Sequence, residues 1–105
     1  MTSNSSLCQE ITSQKVSDEC FYIMAGLFNN IAFCENIYSQ GSKNNCYSDV
    51  AISRKDPLIC EKISVQISKD YCYWNIVIVI KDPSLCGKIQ DAKVKESCRL
   101  DANRN

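Results

Sequence analysis

Eight cysteines are the side chains of this sequence best suited to chemistry, and they are spaced regularly. They are Cys8, Cys20, Cys34, Cys46, Cys60, Cys72, Cys86 and Cys98, at intervals that alternate between 12 and 14 residues. Thiols form disulfides, bind soft metals or exchange electrons. Zinc and redox sites usually have two cysteines only a few residues apart, an arrangement that does not occur here, and the chain has no histidine. An even number of regularly spaced cysteines in 105 residues therefore predicts disulfides, with no metal, cofactor or catalytic residue.

Two regular pairing schemes are open to these cysteines. Pairing between units would leave Cys8 and Cys98 without partners. Its three bonds would be Cys20–Cys34, Cys46–Cys60 and Cys72–Cys86. Pairing within units uses all eight cysteines, and we predict this scheme. Its four bonds are Cys8–Cys20, Cys34–Cys46, Cys60–Cys72 and Cys86–Cys98.

The cysteine intervals add up to a repeat of 26 residues. The units are residues 4–29, 30–55, 56–81 and 82–105, and we predict that they form one repeat domain over 1–105, with a shortened and more polar last unit as a cap. Other columns share the period. The eighth position is always isoleucine (Ile11, Ile37, Ile63, Ile89). The fifteenth is Asp18, Asn44, Asp70 or Glu96, and we expect its acidic members to cap helices.

Each unit is predicted to be a helical hairpin that positions its two cysteines. Asp56 followed by Pro57 indicates the cap of a short first α-helix of about two turns, predicted over 57–64 in unit three. The second helix is predicted over 17–28, 43–53 and 69–80, with Cys20, Met24 and Leu27 on its buried face, beside Phe21, Ala25 and Phe28. The segment 74–80 favours a strand by its β-branched residues, but its equivalents in the other units favour a helix. We therefore predict an all-α fold, a short solenoid of four hairpins with one disulfide in each.

Composition narrows the possible partners and compartments. Twelve basic and twelve acidic residues cancel, so no charge attracts nucleic acid. No apolar run approaches the length of a membrane span, which argues against membrane insertion. Disulfides indicate an extracytoplasmic or secreted protein, although the first residues do not resemble a signal peptide. The alternative location is the cytosol of a hyperthermophile.

Three side chains are candidates for a binding surface. Tyr22 and Trp74 share one column of the repeat, and Ile78 lies four residues after Trp74. If the second segment of each unit is a helix, this column points away from the predicted core, and exposed aromatic side chains often form binding surfaces. The alternative is that these side chains pack against the neighbouring unit.

Units three and four resemble a repeat found in mostly uncharacterised, secreted or lipid-anchored proteins of archaea and bacteria. The matching residues are DPLICEKI with KDYCYWNI, and DPSLCGKI with KESC. The pattern in those proteins is Asp-Pro-x-Leu-Cys-x-x-Ile followed by Lys-Asp-x-Cys-Tyr. Units one and two match more loosely, because they have asparagine in place of aspartate and lack the proline. The resemblance implies no activity.

These observations favour a non-enzymatic module for protein–protein interaction. The expected partner is an unidentified protein, and a monomer is expected rather than a filament. The first alternative is a structural protein that self-assembles end to end. The second is a thiolate metal-storage protein, which would require reduced cysteines.

Overall fold

The computed structural model describes residues 5–103, with side chains from Leu7 onward. Every regular element in this range is a helix, which confirms the prediction of an all-α fold. The α-helices are α1 (Ser5–Gln9), α2 (Gln14–Phe28), α3 (Gln40–Arg54), α4 (Gln66–Ile80) and α5 (Ala92–Ala102). Three short 3₁₀ helices lie between them, at Cys34–Asn36, Pro57–Lys62 and Pro83–Lys88.

The three longest helices begin three residues earlier than the sequence predicted, at Gln14, Gln40 and Gln66. The polar residues assigned to the connection form the first helical turn instead. At α2, the residue before the helix is Ser13, which is extended, and its side chain accepts a hydrogen bond from Val16 N–H. This is the usual geometry of a helix N-cap. Polar composition alone does not separate a loop from the capped first turn of a helix.

The first segment of units two to four is a 3₁₀ helix and not the two-turn α-helix that the sequence predicted. In unit three, Asp56 caps it by accepting a hydrogen bond from Leu58 N–H, with Pro57 next to the cap. The segment ends where Ile63 returns to an extended conformation and its N–H donates to the Cys60 carbonyl. A tighter helix of this kind is common in short connecting pieces.

Each long helix ends on a residue with left-handed backbone geometry. These residues are Asn29, Lys55 and Lys81, with φ of 53°, 56° and 60°. Left-handed residues reverse the chain at a helix C-terminus and satisfy its last carbonyl groups. The chain can therefore turn into the next unit within one or two residues.

The core lies between consecutive units. Its members are the isoleucines Ile37, Ile63 and Ile89 and the side chains that follow the second cysteine of each of the first three units, Phe21, Tyr47 and Tyr73. Ile76 and Val77 of α4 are also fully buried, whereas Ile78 and Val79 of the same β-branched run are exposed, so the run is divided between the core and the surface of the helix. The prediction of a helix over 74–80 is confirmed.

Two residues that the sequence placed in the core of unit one are exposed. Leu27 is 70% and Phe28 51% exposed. Leu27 lies on the side of α2 that faces away from α3. Phe28 ends the helix, and its ring lies beside that of Phe33 in the next unit, with ring centroids 5.8 Å apart. Helical spacing identifies apolar residues, but it does not show whether a neighbouring element covers them.

The units follow one another in a line. The helix α3 packs against α2 and α4, and α4 packs against α5, while each 3₁₀ helix lies against the long helix of the preceding unit. The principal extents of 47, 25 and 17 Å reflect this linear arrangement.

A buried polar column joins each unit to the next. Asp18 accepts hydrogen bonds from the backbone N–H groups of Tyr38 at 2.8 Å and Ser39 at 3.0 Å. Asp70 does the same for Gln90 and Asp91, at 3.0 and 3.1 Å.

The neutral residue of this column, Asn44, makes a related contact in unit two. It accepts from Ser64 N–H at 3.1 Å and donates to the Ser64 hydroxyl at 3.2 Å. The sequence had suggested that the acidic members cap their own helices, and this was wrong. Asp18 and Asp70 lie inside helices and satisfy the backbone that enters the following long helix, which would otherwise have unpaired N–H groups.

Candidate protein-binding surface

The structure pairs all eight cysteines within their units. The bonds are Cys8–Cys20, Cys34–Cys46, Cys60–Cys72 and Cys86–Cys98, with Cα atoms 5.5 to 5.8 Å apart. Each bond joins the first segment of a unit to its long helix, and no cysteine is free. Thiol nucleophiles and thiolate ligands are therefore absent from the oxidised chain. Among residues 5–103, no cluster of three or more histidine, cysteine, aspartate or glutamate side chains is arranged to hold a metal ion.

A polar groove of about 370 Å³ lies between the start of α2 and the start of α3. Its lining includes the carboxylates of Asp18 and Glu19, and Ser39, the residue before α3. Burial opposes ionisation of Asp18, but the hydrogen bonds from Tyr38 and Ser39 N–H and from Gln14 outweigh it and lower the pKa of this carboxyl. Asp18 is thus held ionised with its oxygens occupied. This arrangement suits a structural carboxylate and does not suit a general base that must receive a proton.

Tyr22, the first predicted binding residue, is partly buried between α2 and α3. Its hydroxyl donates a hydrogen bond to the carboxylate of Asp49 on α3. Burial, together with this hydrogen bond and the negative charge of Asp49, raises the pKa of Tyr22 to about 12. The hydroxyl group of Tyr22 is therefore engaged within the chain. This agrees with the alternative interpretation of the sequence, in which this side chain packs against the neighbouring unit.

Trp74, the second predicted residue, makes the equivalent contact one pair of units further on. Its indole Nε1 donates to Asp101 of α5 at 3.0 Å. The ring also stacks on Tyr71, with centroids 5.8 Å apart and planes inclined by 21°. One edge of the indole is fixed by α5, and the ring as a whole remains partly exposed.

Ile78, the third predicted residue, is 49% exposed and lies one turn after Trp74 on α4. Ile67 and Tyr71 on the same helix are 42% and 47% exposed. Steps of four, three and four residues place Ile67, Tyr71, Trp74 and Ile78 along one side of α4. We call these four residues the outer stripe.

The outer stripe has no counterpart on the other long helices. At the same columns α2 has Lys15, Glu19, Tyr22 and Gly26, and α3 has Gly41, Asn45, Ser48 and Ile52. In α5 the first three of these columns hold Lys93, Ser97 and Leu100. An exposed row of large apolar and aromatic side chains on one helix, bordered by polar helices, is typical of an interaction surface.

The sequence identified Trp74 and Ile78 but not Ile67 and Tyr71. The missed signal was available, because these residues continue the helical spacing of the other two and depart from the polar residues at their columns in every other unit. The sequence also grouped Tyr22 with Trp74 and Ile78, whereas Tyr22 lies on α2, two units away from the outer stripe.

No protein-family model, no curated protein and no solved structure matches this chain. No relative therefore suggests a ligand or an activity. None of the helices between residues 5 and 103 has both the length and the hydropathy needed to cross a bilayer.

Proposed function

We propose that this chain is a non-enzymatic, disulfide-stabilised helical repeat module, a short solenoid, that binds a protein partner in an extracytoplasmic compartment. The observation that carries the proposal is the outer stripe of α4. Three of its side chains are more than two-fifths exposed, and all four are held on a rigid helix. Aromatic and aliphatic residues of this type supply most of the energy of protein interfaces.

The partner segment is expected to be apolar and elongated. The outer stripe follows the axis of α4 over twelve residues, which are eleven steps, or about 16 Å at about 1.5 Å per residue. An amphipathic helix of three turns has a matching length and presents its own row of apolar side chains. Polar residues of α4 flank the outer stripe and would form the rim of such an interface. They are Ser68 and Asn75.

The disulfides support the compartment in this proposal. They persist in oxidising surroundings and are rare in the reducing cytosol of mesophiles. The same bonds weigh against metal storage by thiolates, since the chain would first have to be reduced. End-to-end assembly is less favoured because Glu96, Arg99 and Asn103 on the exposed side of α5 are polar.

A displayed peptide library selected against the folded, oxidised chain tests the binding surface. The test variant combines Ile67→Lys with Tyr71→Glu, which gives α4 the residues that α2 has at these columns, Lys15 and Glu19. It leaves the hydrogen bond between Trp74 and Asp101 in place. We expect selected peptides to bind this variant at least about tenfold more weakly, the effect of losing about 1.4 kcal/mol at a central contact.

The matched control is Leu100→Lys, which changes an exposed apolar residue at the Trp74 column of α5. Peptides that bind the outer stripe should bind this variant as tightly as the original chain. If every selected peptide binds the Ile67→Lys, Tyr71→Glu variant without loss, the proposed surface is wrong.

The compartment is tested separately, on protein isolated from its own cells after free thiols have been blocked. Four disulfides predict no blocked cysteine before reduction and eight after it. Eight blocked thiols before reduction would contradict an oxidising location and would favour thiolate metal binding.

A further inference from the structure

The helix α2 has a second apolar surface, on the side that faces away from α3. It consists of Val16, Cys20, Ile23, Met24 and Leu27, which follow helical spacing. We call these five residues the end face. Ile23 is 57% exposed and Leu27 is 70% exposed. A shallow groove of about 270 Å³ runs along Val16, Cys20, Ile23 and Met24, with Glu19 as its one charged lining residue.

Part of the end face, at Cys20 and Met24, corresponds to an interface that forms three times within the chain. In units two to four the same side of the long helix lies against the preceding long helix. The second cysteine of these units, Cys46, Cys72 and Cys98, is therefore no more than 1% exposed. Its equivalent Cys20 is partly exposed, as is Ile11, although Ile37, Ile63 and Ile89 are buried. Unit one thus presents a packing surface that has no partner in the structure.

The two most exposed residues of the end face, Ile23 and Leu27, lie at columns that are mostly polar and exposed in the later helices. The exception is Val79 of α4, at the Leu27 column. Where α2 has Ile23, the later helices have Asp49, Asn75 and Asp101. Asp49 and Asp101 accept hydrogen bonds from Tyr22 and Trp74 of the preceding helix. Where α2 has Leu27, α3 has Ser53. A terminal unit facing solvent is expected to be polar, so this composition indicates a surface that is covered.

The composition also restricts what covers it. An occupant with the outward side of α5 would bring Glu96, Arg99 and Asn103, all exposed, against Ile23 and Leu27. Burying charged groups against apolar ones without partners is costly. The apolar surfaces that a second copy could bring are its outer stripe and its own end face. Pairing the end face with an outer stripe would continue as an open chain of copies, whereas pairing it with a second end face gives a closed dimer, the commonest soluble oligomer. The chain has no net charge to oppose association.

We propose that two copies of this chain pair through their end faces, with α2 of one copy against α2 of the other in a closed two-fold dimer. Such an interface uses the same surface patch on both copies, so it stops at two and leaves both outer stripes free. A surface based on one helix of 15 residues is smaller than the standard interface of about 800 Å² per partner. We therefore expect a dissociation constant in the micromolar range.

Sedimentation equilibrium of the oxidised chain, from low micromolar to millimolar concentration, tests this inference. The mass should rise from 11.9 kDa to twice that value and then remain constant. Ile23→Asp gives α2 the residue that α3 and α5 have at this column, and it should weaken dimerisation at least tenfold. The control is Ile78→Asp on α4, a residue exposed to a similar extent, which should not change the dimerisation curve.

Circular dichroism should show that both variants keep the helical content of the original chain, since both side chains are exposed. The proposal is overturned if the mass stays at that of one chain, because the end face then has another occupant, such as a preceding segment of a longer chain. A mass that continues to grow beyond two copies, or a dimer unaffected by Ile23→Asp, also overturns it. Peptide binding to the outer stripe is measured independently, so the two proposals can fail separately.

Discussion

The helices α3 and α4 have the same length and occupy equivalent positions in their units, but their outer surfaces differ in polarity. Both have 15 residues, and both are joined to a preceding 3₁₀ helix by a disulfide. Their inner columns match in type, with Cys46, Tyr47 and Val50 in α3 and Cys72, Tyr73 and Ile76 in α4. Their outer columns differ, since α3 has Gly41, Asn45 and Ser48 where α4 has Ile67, Tyr71 and Trp74.

This difference separates the residues that maintain the stack from those that are free to vary. An inner side chain must fit two neighbouring units, so changing its volume or polarity costs stability. An outer side chain contacts few other residues, and its substitution changes stability little. The large departure at the outer columns of unit three therefore supports the proposed binding surface. The predictions below test this separation.

The largest expected effect distinguishes two isoleucines on the same helix. Ile76→Ala removes a side chain that is 0% exposed and should lower the free energy of unfolding by about 2–5 kcal/mol, through lost burial and a residual cavity. Ile78→Ala removes the same atoms from a half-exposed site and should lower it by less than about 1 kcal/mol. Chemical denaturation of the oxidised variants measures both. Equal losses would contradict the division into inner and outer columns.

The second prediction compares the disulfides of units two and three. Both close loops with a sequence separation of 12, so each should contribute on the order of 3 kcal/mol by restricting the unfolded chain. We expect Cys34→Ala with Cys46→Ala, and Cys60→Ala with Cys72→Ala, to lower the free energy of unfolding by similar amounts. A large effect for one pair and none for the other would show that the two scaffolds are not equivalent.

The third prediction concerns Asp18, whose column has an amide, Asn44, in α3. The folded pKa of Asp18 is lowered, so its contribution to stability is complete above the unfolded pKa and is lost as the pH falls through the folded pKa. Asp18→Asn should remove this part of the acid sensitivity and weaken one of two backbone hydrogen bonds, at a cost of about 1–3 kcal/mol at neutral pH. Denaturation at several pH values measures the difference.

Two observations would contradict this account of Asp18. One is a difference between Asp18→Asn and the original chain that stays constant between neutral and acidic pH. The other is greater stability of the variant at neutral pH. The control is Asp82→Asn, which changes an exposed carboxylate that caps a 3₁₀ helix by accepting from Ser84 N–H and does not join two units.

The smallest expected effect on stability comes from copying the outer stripe onto α3. The substitutions are Gly41→Ile, Asn45→Tyr and Ser48→Trp, and with the native Ile52 they reproduce the four columns of α4. A Cβ atom at Gly41 meets no other atom within 4 Å, so the free energy of unfolding should change by less than about 1 kcal/mol. Peptides selected on the original chain should then bind at two sites, as isothermal titration calorimetry would show. Unchanged stoichiometry would mean that the outer stripe alone does not define the surface.

Much of the fold follows from the regular spacing of a few residue types. The alternating intervals of the cysteines fix a 26-residue unit, and the apolar positions within it have helical spacing. These features predict an all-α chain even at 74–80, where local propensity favours a strand. The equivalence of units outweighs propensity because stacked units must share a backbone conformation to contact their neighbours in the same way.

The candidate site was predicted only in part. The sequence left two possibilities for Trp74 and Ile78, exposure or packing against the neighbouring unit. In the structure Ile78 is 49% exposed and Trp74 is partly exposed. The hydrogen bonds that engage Tyr22 with Asp49 and Trp74 with Asp101 were not predictable, because each joins residues 27 positions apart through the packing of two helices. The geometry of these two hydrogen bonds shows that Tyr22 links α2 to α3, whereas Trp74 links α4 to α5 and is also part of the outer stripe.

The sequence by itself determined the period, the helical class and which residues are apolar, because these depend on residue type and spacing along the chain. The tertiary structure decided which apolar residues are covered. Ile76 and Leu27 are both apolar residues of long helices, yet one is fully buried and the other is 70% exposed. A helix in a stack has two packing sides, and only the arrangement of the neighbouring units shows which of them is occupied.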